Sequence, residues 1–334
     1  MERKHLLENW IKAQFAGKPY TLQPASGDAS FRRYFRVFLD DQTYIAMDAP
    51  PQHENCTAFL DVANILDATG VHVPRVIAQD LDRGFLLLSD LGNKTFLQAF
   101  NDQAEDPKQL YSDATDALIK IQLSQQVDDL PVYDEALLQT ELNLFPEWYI
   151  ARHLKINLSE KQQGSLCAAF TRILQNNLAQ PRVLVHRDYH CRNLMVACPN
   201  PGILDFQDAV YGPITYDLVS LFKDAYIQWD EEYILDWTIR YWDKARQAGL
   251  PVSSDFAHFY RDFEWMGVQR HLKVLGIFAR LNYRDSKATY LNDMPRVMTY
   301  LRKACERYRE LHPLLQVLDE INPEACGPKI GYTF

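Results

Sequence analysis

The chain has 334 residues, of which 47% are hydrophobic and 12% aromatic, and it carries a formal net charge of −9. This length accommodates two domains or one two-lobed unit with a sizeable core. The negative charge argues against a general surface for nucleic acid or anionic membranes, although it permits a local basic pocket for phosphates.

Cysteine usage and the N-terminus indicate the compartment. The six cysteines form no CxxC pair, which is typical of reduced thiols rather than of a disulfide framework. The charged start, MERKHLLENW, lacks the apolar core of a signal peptide. No apolar run approaches the roughly 20 residues that span a bilayer. We therefore expect a cytoplasmic protein without nucleic-acid or membrane partners, and we favour a monomer.

The first elements are an amphipathic helix and a hairpin. Apolar residues recur at helical spacing over residues 3–15. A loop of small and polar residues then precedes an alternating strand at 31–37, and 44–47 returns as its partner. The loop consists of Ser26, Gly27, Asp28, Ala29 and Ser30. Such a loop can fold over a triphosphate with its backbone N–H groups facing the phosphates, but an ordinary hairpin turn explains the same residues.

A further helix and a further strand follow, and the rest of the chain is predicted to be mostly helical. Residues 55–69 show one apolar helical face, and 84–88 form a continuous apolar strand that ends near Gly92. Beyond residue 94 the pattern is mostly helical. The predicted helices cover 108–123, 159–178, 217–226, 231–247, 256–283 and 294–311.

One stretch, 183–208, joins a strand, a polar loop and a hairpin. After the apolar run 183–185 comes His186-Arg187-Asp188, and Asn193 stands five positions after Asp188. Two short apolar runs flank a Pro-Asn-Pro-Gly turn, and the second run ends on Asp205. The hairpin should bring Asn193 close to Asp205. A side-chain amide oxygen beside a carboxylate suits Mg²⁺, and Asp188 could accept a proton from a substrate hydroxyl.

The stretch His186-Arg187-Asp188-Tyr189-His190-Cys191-Arg192-Asn193 resembles the catalytic loop of the aminoglycoside phosphotransferase family. Its metal segment, Asp205-Phe206-Gln207-Asp208, and the downstream Gly212-Pro213-Ile214-Thr215-Tyr216-Asp217-Leu218 are also similar to that family rather than to protein kinases. The segment is most similar to the members that phosphorylate the anomeric hydroxyl of N-acetylmuramate and N-acetylglucosamine in peptidoglycan recycling. Matches at 27–34, 46–50 and 145–148 extend the resemblance over most of the chain.

The resemblance implies an α+β, protein-kinase-like fold with two lobes. Residues 1–92 would form a small N-lobe with an antiparallel sheet, and 93–334 a larger, mainly helical C-lobe. ATP and Mg²⁺ would be the cofactors, with Asp188 catalytic and with Asn193 and Asp205 as metal ligands. Nucleotide contacts would come from the loop 26–30, from Arg33 and from the hinge residues Ser89 and Leu91.

The strongest departure from the kinase pattern is Met47. Kinases of this fold carry a phosphate-binding lysine where Tyr44-Ile45-Ala46-Met47 ends here. Methionine cannot neutralise phosphate, so either the alignment with the kinase strand slips, or another cation serves, or the protein does not transfer phosphate. We hypothesise that one of Arg32, Arg33 and Arg36 supplies the charge; solvated or paired arginines on the sheet surface are the alternative.

An amino-sugar substrate is expected to meet Asp188, Arg192, Glu147 and Asp208. Glu147 lies among aromatic residues that could pack on a sugar ring, although a helix start at Pro146 explains the same letters. Arg192 could pair with a substrate carboxylate, and so could Lys155, Arg152 or Arg284. A basic rim of His271, Arg280, Arg284 and Lys287 is a further possibility.

Three functions therefore remain open. The first is a sugar 1-kinase. The second is a kinase of the same fold for another small alcohol, such as an aminoglycoside, choline or homoserine. The third is a non-catalytic nucleotide-binding protein, which Met47 motivates and the intact Asp188, Asn193 and Asp205 disfavour.

Overall fold

The computed structural model describes residues 2–26 and 31–322. The chain divides into two compact units. We call Met1–Asp128 with His186–Ala209 the sheet unit, and Asp129–Val185 with Val210–Phe334 the helical unit. Strands and helices are both abundant, so the predicted α+β class is confirmed. The lobe boundary predicted at Gly92 stays a prediction.

The sheet unit is built on a five-stranded antiparallel sheet. Its strands are β1 (Thr21–Ser26), β2 (Arg33–Leu39), β3 (Gln42–Asp48), β4 (Val76–Asp80) and β5 (Phe85–Ser89), in the order β1-β2-β3-β5-β4. Helix α1 (Glu2–Gln14) packs on it, as its amphipathic pattern predicts. Leu7, Trp10 and Ile11 of α1 form one core cluster with Val37, Ala46, Phe85 and Leu87 of the sheet.

The remaining elements of the sheet unit are helical apart from one hairpin. Helix α2 (Cys56–Ala68) is capped at its N-terminus by Asn55, whose side chain accepts a hydrogen bond from Thr57 N. Helices α3 (Phe96–Asn101) and α4 (Pro107–Gln122) follow. Strands β7 (Leu194–Met195) and β8 (Gly202–Ile203) form the short hairpin that the Pro-Asn-Pro-Gly turn predicts.

The helical unit surrounds the 30-residue helix α9 (Phe256–Asp285), of which 18 residues are buried. The other helices are α5 (Glu135–Leu144), a π-helix (Phe145–Leu154), α6 (Glu160–Leu178), α7 (Tyr216–Phe222), α8 (Glu231–Gln247), α10 (Met294–Arg307), α11 (His312–Ile321) and the 3₁₀ segments Ala288–Asp293 and Arg309–Leu311. Strands β6 (Arg182–Val185) and β9 (Val210–Pro213) pair in an antiparallel manner.

Three expectations need correction. The helix predicted over 217–226 ends at Phe222, and the one predicted over 294–311 changes at Arg307 into a separate 3₁₀ turn. The helix start expected at Pro146 is confirmed, because Pro146 and Glu147 lie in the first turn of the π-helix, which continues α5 without a break. His271 is 2% exposed, so it cannot belong to a basic surface rim. Among the described helices, none is both long and apolar enough to cross a membrane.

Candidate active site

The loop that starts at His186 is held by side chains of the sheet unit. The buried His186 ring accepts a hydrogen bond through Nδ1 from Asp188 N, at 3.2 Å. Tyr189 is buried and donates to Ala114 O of α4, at 2.8 Å. Arg187 has φ +76°, a left-handed conformation that costs a non-glycine residue about 1–2 kcal/mol. These contacts fix the backbone on both sides of Asp188.

Asn193 connects this loop to the hairpin. Its amide nitrogen donates to Asp188 O at 3.0 Å, and its own carbonyl oxygen accepts from Leu204 N at 2.9 Å. The same amide nitrogen lies 3.4 Å from Asp205 Oδ2. The hairpin therefore brings Asn193 and Asp205 together, as the turn between β7 and β8 predicts.

The donor set of this pair fits Mg²⁺. Asp205 contributes a carboxylate and Asn193 an amide, and the described residues contain no group of three or more His, Cys, Asp or Glu side chains arranged for a metal ion. Mg²⁺ is commonly bound by one or two protein oxygen ligands, with waters and substrate phosphates completing its shell. Gln207 Nε2 donates to Asp205 Oδ1 at 2.9 Å and so orients that carboxylate. The ligand roles of Asn193 and Asp205 stay predictions.

The predicted base and the neighbouring substrate residues are accessible. The Asp188 side chain is 42% exposed, and its Oδ1 lies 4.0 Å from His190 Nε2. Arg192 and Asp208 are exposed as well. Asp208 Oδ2 lies 3.4 Å from Gln207 Nε2, which places Asp208 beside the Asp205 carboxylate. The side chains of Asp188, Arg192 and Asp208 are therefore accessible to solvent.

A cation also reaches this group of residues. Arg32 Nη2 lies 3.7 Å from Asp205 Oδ1, and Arg32 Nε lies 3.6 Å from Glu54 Oε2. Burial alone would lower the pKa of Arg32, but the charges of Tyr34, Asp205, Glu54 and Asp208 outweigh it and raise that pKa. Arg32 is therefore a permanent cation next to the predicted metal ligand.

The predicted hinge follows β5. Asp90 accepts hydrogen bonds from Arg36 Nε at 2.6 Å and from Gly92 N at 3.0 Å, and Arg36 also donates to Gly92 O at 2.6 Å. Ser89 Oγ accepts from Arg75 N at 2.9 Å. Leu91 is buried. These hydrogen bonds hold the segment at Ser89, Asp90 and Gly92, while the nucleotide roles of Ser89 and Leu91 stay predictions.

The remaining predicted site residues are described only in part. Gly27, Asp28, Ala29 and Ser30 are outside the described residues, and Ser26 is described only as the last residue of β1. Arg33 pairs with the fully buried Asp48 of β3. Glu147 is exposed on the first turn of the π-helix in the helical unit. Their functional roles stay predictions.

Sequence reasoning missed two polar pairs. Glu54 lies beside Arg32 and accepts a hydrogen bond from Phe31 N at 3.2 Å. The clamp of Arg36 on Asp90 was missed as well. The available signal was an unusually basic strand start, Arg32-Arg33-Tyr34-Phe35-Arg36, but spacing alone does not reveal which acid each arginine meets.

Comparison with known sequences identifies relatives over the whole chain. The pattern of the phosphotransferase enzyme family matches residues 21–250. An N-acetylmuramate/N-acetylglucosamine kinase of Neisseria meningitidis is 48% identical over 337 residues, with all of both chains covered. A protein of the same name from Pseudomonas aeruginosa is 51% identical, with 90% of this chain and 88% of the relative covered.

Solved structures share the fold at low sequence identity. The choline kinase LicA from Streptococcus pneumoniae has a TM-score of 0.63 at 12% identity and covers 89% of this chain and 99% of its own. The ADP-bound aminoglycoside phosphotransferase APH(2'')-Ib has a TM-score of 0.58 at 15% identity, covering 89% and 98%. The predicted protein-kinase-like fold is confirmed.

Proposed function

Because the chain belongs to the phosphotransferase enzyme family, we propose that it transfers the terminal phosphoryl group of ATP to the anomeric hydroxyl of N-acetylmuramate and N-acetylglucosamine. The reaction would serve the reuse of cell-wall sugars. The observation that carries the proposal is the arrangement of Asp188, Asn193 and Asp205 in one rigid loop and hairpin. The substrate class rests on the names of relatives that are 48–51% identical over most of the chain.

Asp188 would orient the acceptor hydroxyl and take its proton as the bond to phosphorus forms. Its carboxylate is partly exposed, and its backbone is fixed from both sides by His186 and Asn193. Positioning is the main task of the protein here, because phosphoryl transfer has a loose transition state. An anomeric hydroxyl is more acidic than an ordinary alcohol, so a carboxylate is a sufficient base.

Asn193 and Asp205 would hold Mg²⁺ through one amide oxygen and one carboxylate. When bound, Mg²⁺ supplies positive charge that neutralises the phosphate oxygens. Gln207 keeps the Asp205 carboxylate oriented through its 2.9 Å hydrogen bond. The contact of Asn193 with Asp188 O fixes the amide next to the base, so that the base and the ligand pair keep one geometry.

Arg192 is our choice of cation for the lactyl carboxylate of N-acetylmuramate, since it is exposed and follows the base by four residues. Glu147 and Asp208 are proposed to accept hydrogen bonds from sugar hydroxyls. The loop 26–30 and the backbone of Ser89 and Leu91 are proposed to contact ATP. A cytoplasmic location and a monomeric state complete the proposal.

The test is ADP release with Mg-ATP against N-acetylmuramate, N-acetylglucosamine, N-acetylgalactosamine, glucose, kanamycin, choline and homoserine. We expect turnover with the first two sugars and a ³¹P signal of a sugar 1-phosphate. Turnover confined to an amine or amino alcohol would contradict the proposed substrate. Nucleotide binding without turnover on any acceptor would contradict the proposed activity.

Two variants identify the base in the same assay. Asp188→Asn should lower kcat by roughly 10²–10⁴-fold, the usual contribution of a general base, while nucleotide affinity stays close to that of the wild type. Asp61→Asn is the matched control, because Asp61 is an exposed carboxylate on α2 of the same unit. Equal kcat values for the two variants would remove Asp188 from the mechanism.

A further inference from the structure

The lysine position of the kinase strand is occupied by a buried apolar side chain. Met47 is 1% exposed and lies in β3 between Tyr34 of β2 and Leu86 of β5. No charge is available from it. If phosphate is bound in the sheet unit, the neutralising cation must come from a neighbouring position.

Two of the three nearby arginines are engaged in holding the sheet unit together. Arg33 pairs with the fully buried carboxylate of Asp48, which also accepts from Arg3 Nε at 2.6 Å. Arg36 is bound to Asp90 and to Gly92 O. Moving either arginine toward a phosphate would break a charged hydrogen bond to a buried or nearly buried carboxylate, which is costly.

Arg32 differs from these two in its surroundings. It lies immediately before β2, and its side chain is 11% exposed. Its guanidinium is within 3.7 Å of Asp205 and 3.6 Å of Glu54. The guanidinium therefore lies between the carboxylate of Glu54 and the predicted metal ligand Asp205, which is where the charge of a bound phosphate would have to be neutralised.

Glu54 is positioned to direct that guanidinium. Its Oε1 accepts from Phe31 N at 3.2 Å, while its Oε2 faces Arg32. Its backbone nitrogen donates to Pro50 O at 2.9 Å, next to the start of α2. Glu54 therefore ties the strand end that carries Arg32 to the segment that leads into α2.

We propose that Arg32 is the phosphate-binding cation of this enzyme in place of the lysine, and that Glu54 is its positioning residue. A guanidinium offers several N–H donors in a planar fork, which matches two phosphate oxygens at once. The proposal deepens the proposed function, since it names a residue that would bind the nucleotide of the same site. It requires only nucleotide binding, and it stands whichever acceptor is phosphorylated.

The test is the affinity for ADP and for adenosine, measured by calorimetry or by displacement of a fluorescent nucleotide, without acceptor and without divalent cation. Arg32→Gln should weaken ADP binding by roughly 10- to 100-fold, because a charged hydrogen bond is lost. Adenosine, which has no phosphate, should bind both proteins equally. Arg32→Lys should recover part of the loss.

Arg83→Gln is the matched control, because Arg83 is an arginine of the same unit that is 55% exposed and pairs only loosely with Asp80, at 3.6 Å. It should bind ADP as the wild type does. Thermal unfolding of each variant establishes that it is folded. A folded Arg32→Gln protein with wild-type ADP affinity would overturn the phosphate role, and so would an equal loss of adenosine binding.

Glu54 is tested through its dependence on Arg32. Glu54→Gln retains the acceptor for Phe31 N but removes the charge. If Glu54 positions Arg32, this change weakens ADP binding in the wild type and has no further effect in Arg32→Gln. If Glu54→Gln instead strengthened ADP binding equally in the wild type and in Arg32→Gln, Glu54 would merely repel phosphate. The positioning role would then be wrong.

Discussion

At the residue scale, the backbone around the proposed base and metal ligand is unusual. Arg187 and Asp205 both have positive φ, +76° and +62°, although neither is glycine. Each costs about 1–2 kcal/mol relative to the right-handed conformation. The surrounding contacts hold them there: His186 binds Asp188 N, and Gln207 binds the Asp205 carboxylate. The strained backbone fixes the direction of the side chains in this loop, as expected for a site that depends on positioning.

Asp48 provides a prediction about stability at this scale. It is fully buried and accepts hydrogen bonds from Arg3 of α1 and from Arg33 of β2. Asp48→Asn should lower the free energy of unfolding by about 2–4 kcal/mol, because one carboxylate oxygen becomes an N–H₂ group that faces the guanidinium groups.

Chemical or thermal unfolding measures this loss. Asp61→Asn, on the exposed face of α2, should change the same quantity by less than about 0.5 kcal/mol. If the two variants unfolded alike, the buried ion cluster around Asp48 would have no part in stability.

At the element scale, the helical unit depends on a close approach between helices. Helix α9 packs on α5 and on the π-helix that follows α5 without a break. At Gly276 of α9, a Cβ atom would lie 2.4–2.6 Å from atoms of Leu144, the last residue of α5. Only a glycine allows the two backbones to come so close, and the contact lies where the helix widens from α to π geometry.

Gly276→Ala should therefore destabilise the protein by about 1–3 kcal/mol, since the extra methyl group overpacks a rigid contact. Gly164→Ala is the matched control. Gly164 lies inside α6 with nothing within 4 Å of its Cβ position, so alanine should stabilise the protein by up to about 1 kcal/mol through its helix propensity. Unfolding curves of both variants decide the point, and equal effects of the two changes would contradict the packing argument.

At the scale of the whole molecule, a buried histidine beside buried charges contributes to the dependence of stability on pH. In the helical unit, Lys223 Nζ lies 3.2 Å from Glu264 Oε1, and Arg307 binds Glu264 as well. Next to them, His271 stacks on Tyr300 at 5.3 Å, and its Nε2 bonds to Lys223 O at 3.2 Å. Burial lowers the pKa of His271 to about 3, and the charges of Lys223 and Arg270 act in the same direction.

This pKa predicts acid sensitivity. The unfolded chain, with a histidine pKa near 6.5, binds a proton that the folded protein excludes down to about pH 3. The contribution of the neutral His271 ring to the free energy of unfolding is fully present above pH 6.5, and it is lost as the pH falls toward 3. The slope is at most ~1.4 kcal/mol per pH unit.

Unfolding of His271→Gln between pH 7 and 4 checks this slope. The stability of the wild type should fall more steeply with acid than that of the variant. His312→Gln in the same unit is the control, because His312 is exposed at the start of α11, and its curve should run parallel to that of the wild type. A parallel curve for His271→Gln would show that the buried ring does not govern the acid response.

Much of this protein follows from its sequence alone. The helices 108–123, 159–178 and 231–247 are present within a residue or two, because an amphipathic helix repeats its apolar residues at a period that local sequence fully records. The hairpin that brings Asn193 to Asp205 is equally local, because β7 and β8 are joined by a single turn and lie close together in the sequence. Family membership could be recognised for the same reason, from contiguous motifs.

Only the tertiary structure decided the rest. Arg32 pairs with Glu54 and Asp205, Arg33 pairs with Asp48, and Arg36 pairs with Asp90. Each of these acids is 15 or more positions away along the chain. The widening of the helix at Leu144 and the burial of His271 likewise depend on what α9 packs against. Periodicity shows which face of an element is apolar, but pairing between distant charged groups is set by packing, and no spacing in the sequence encodes it.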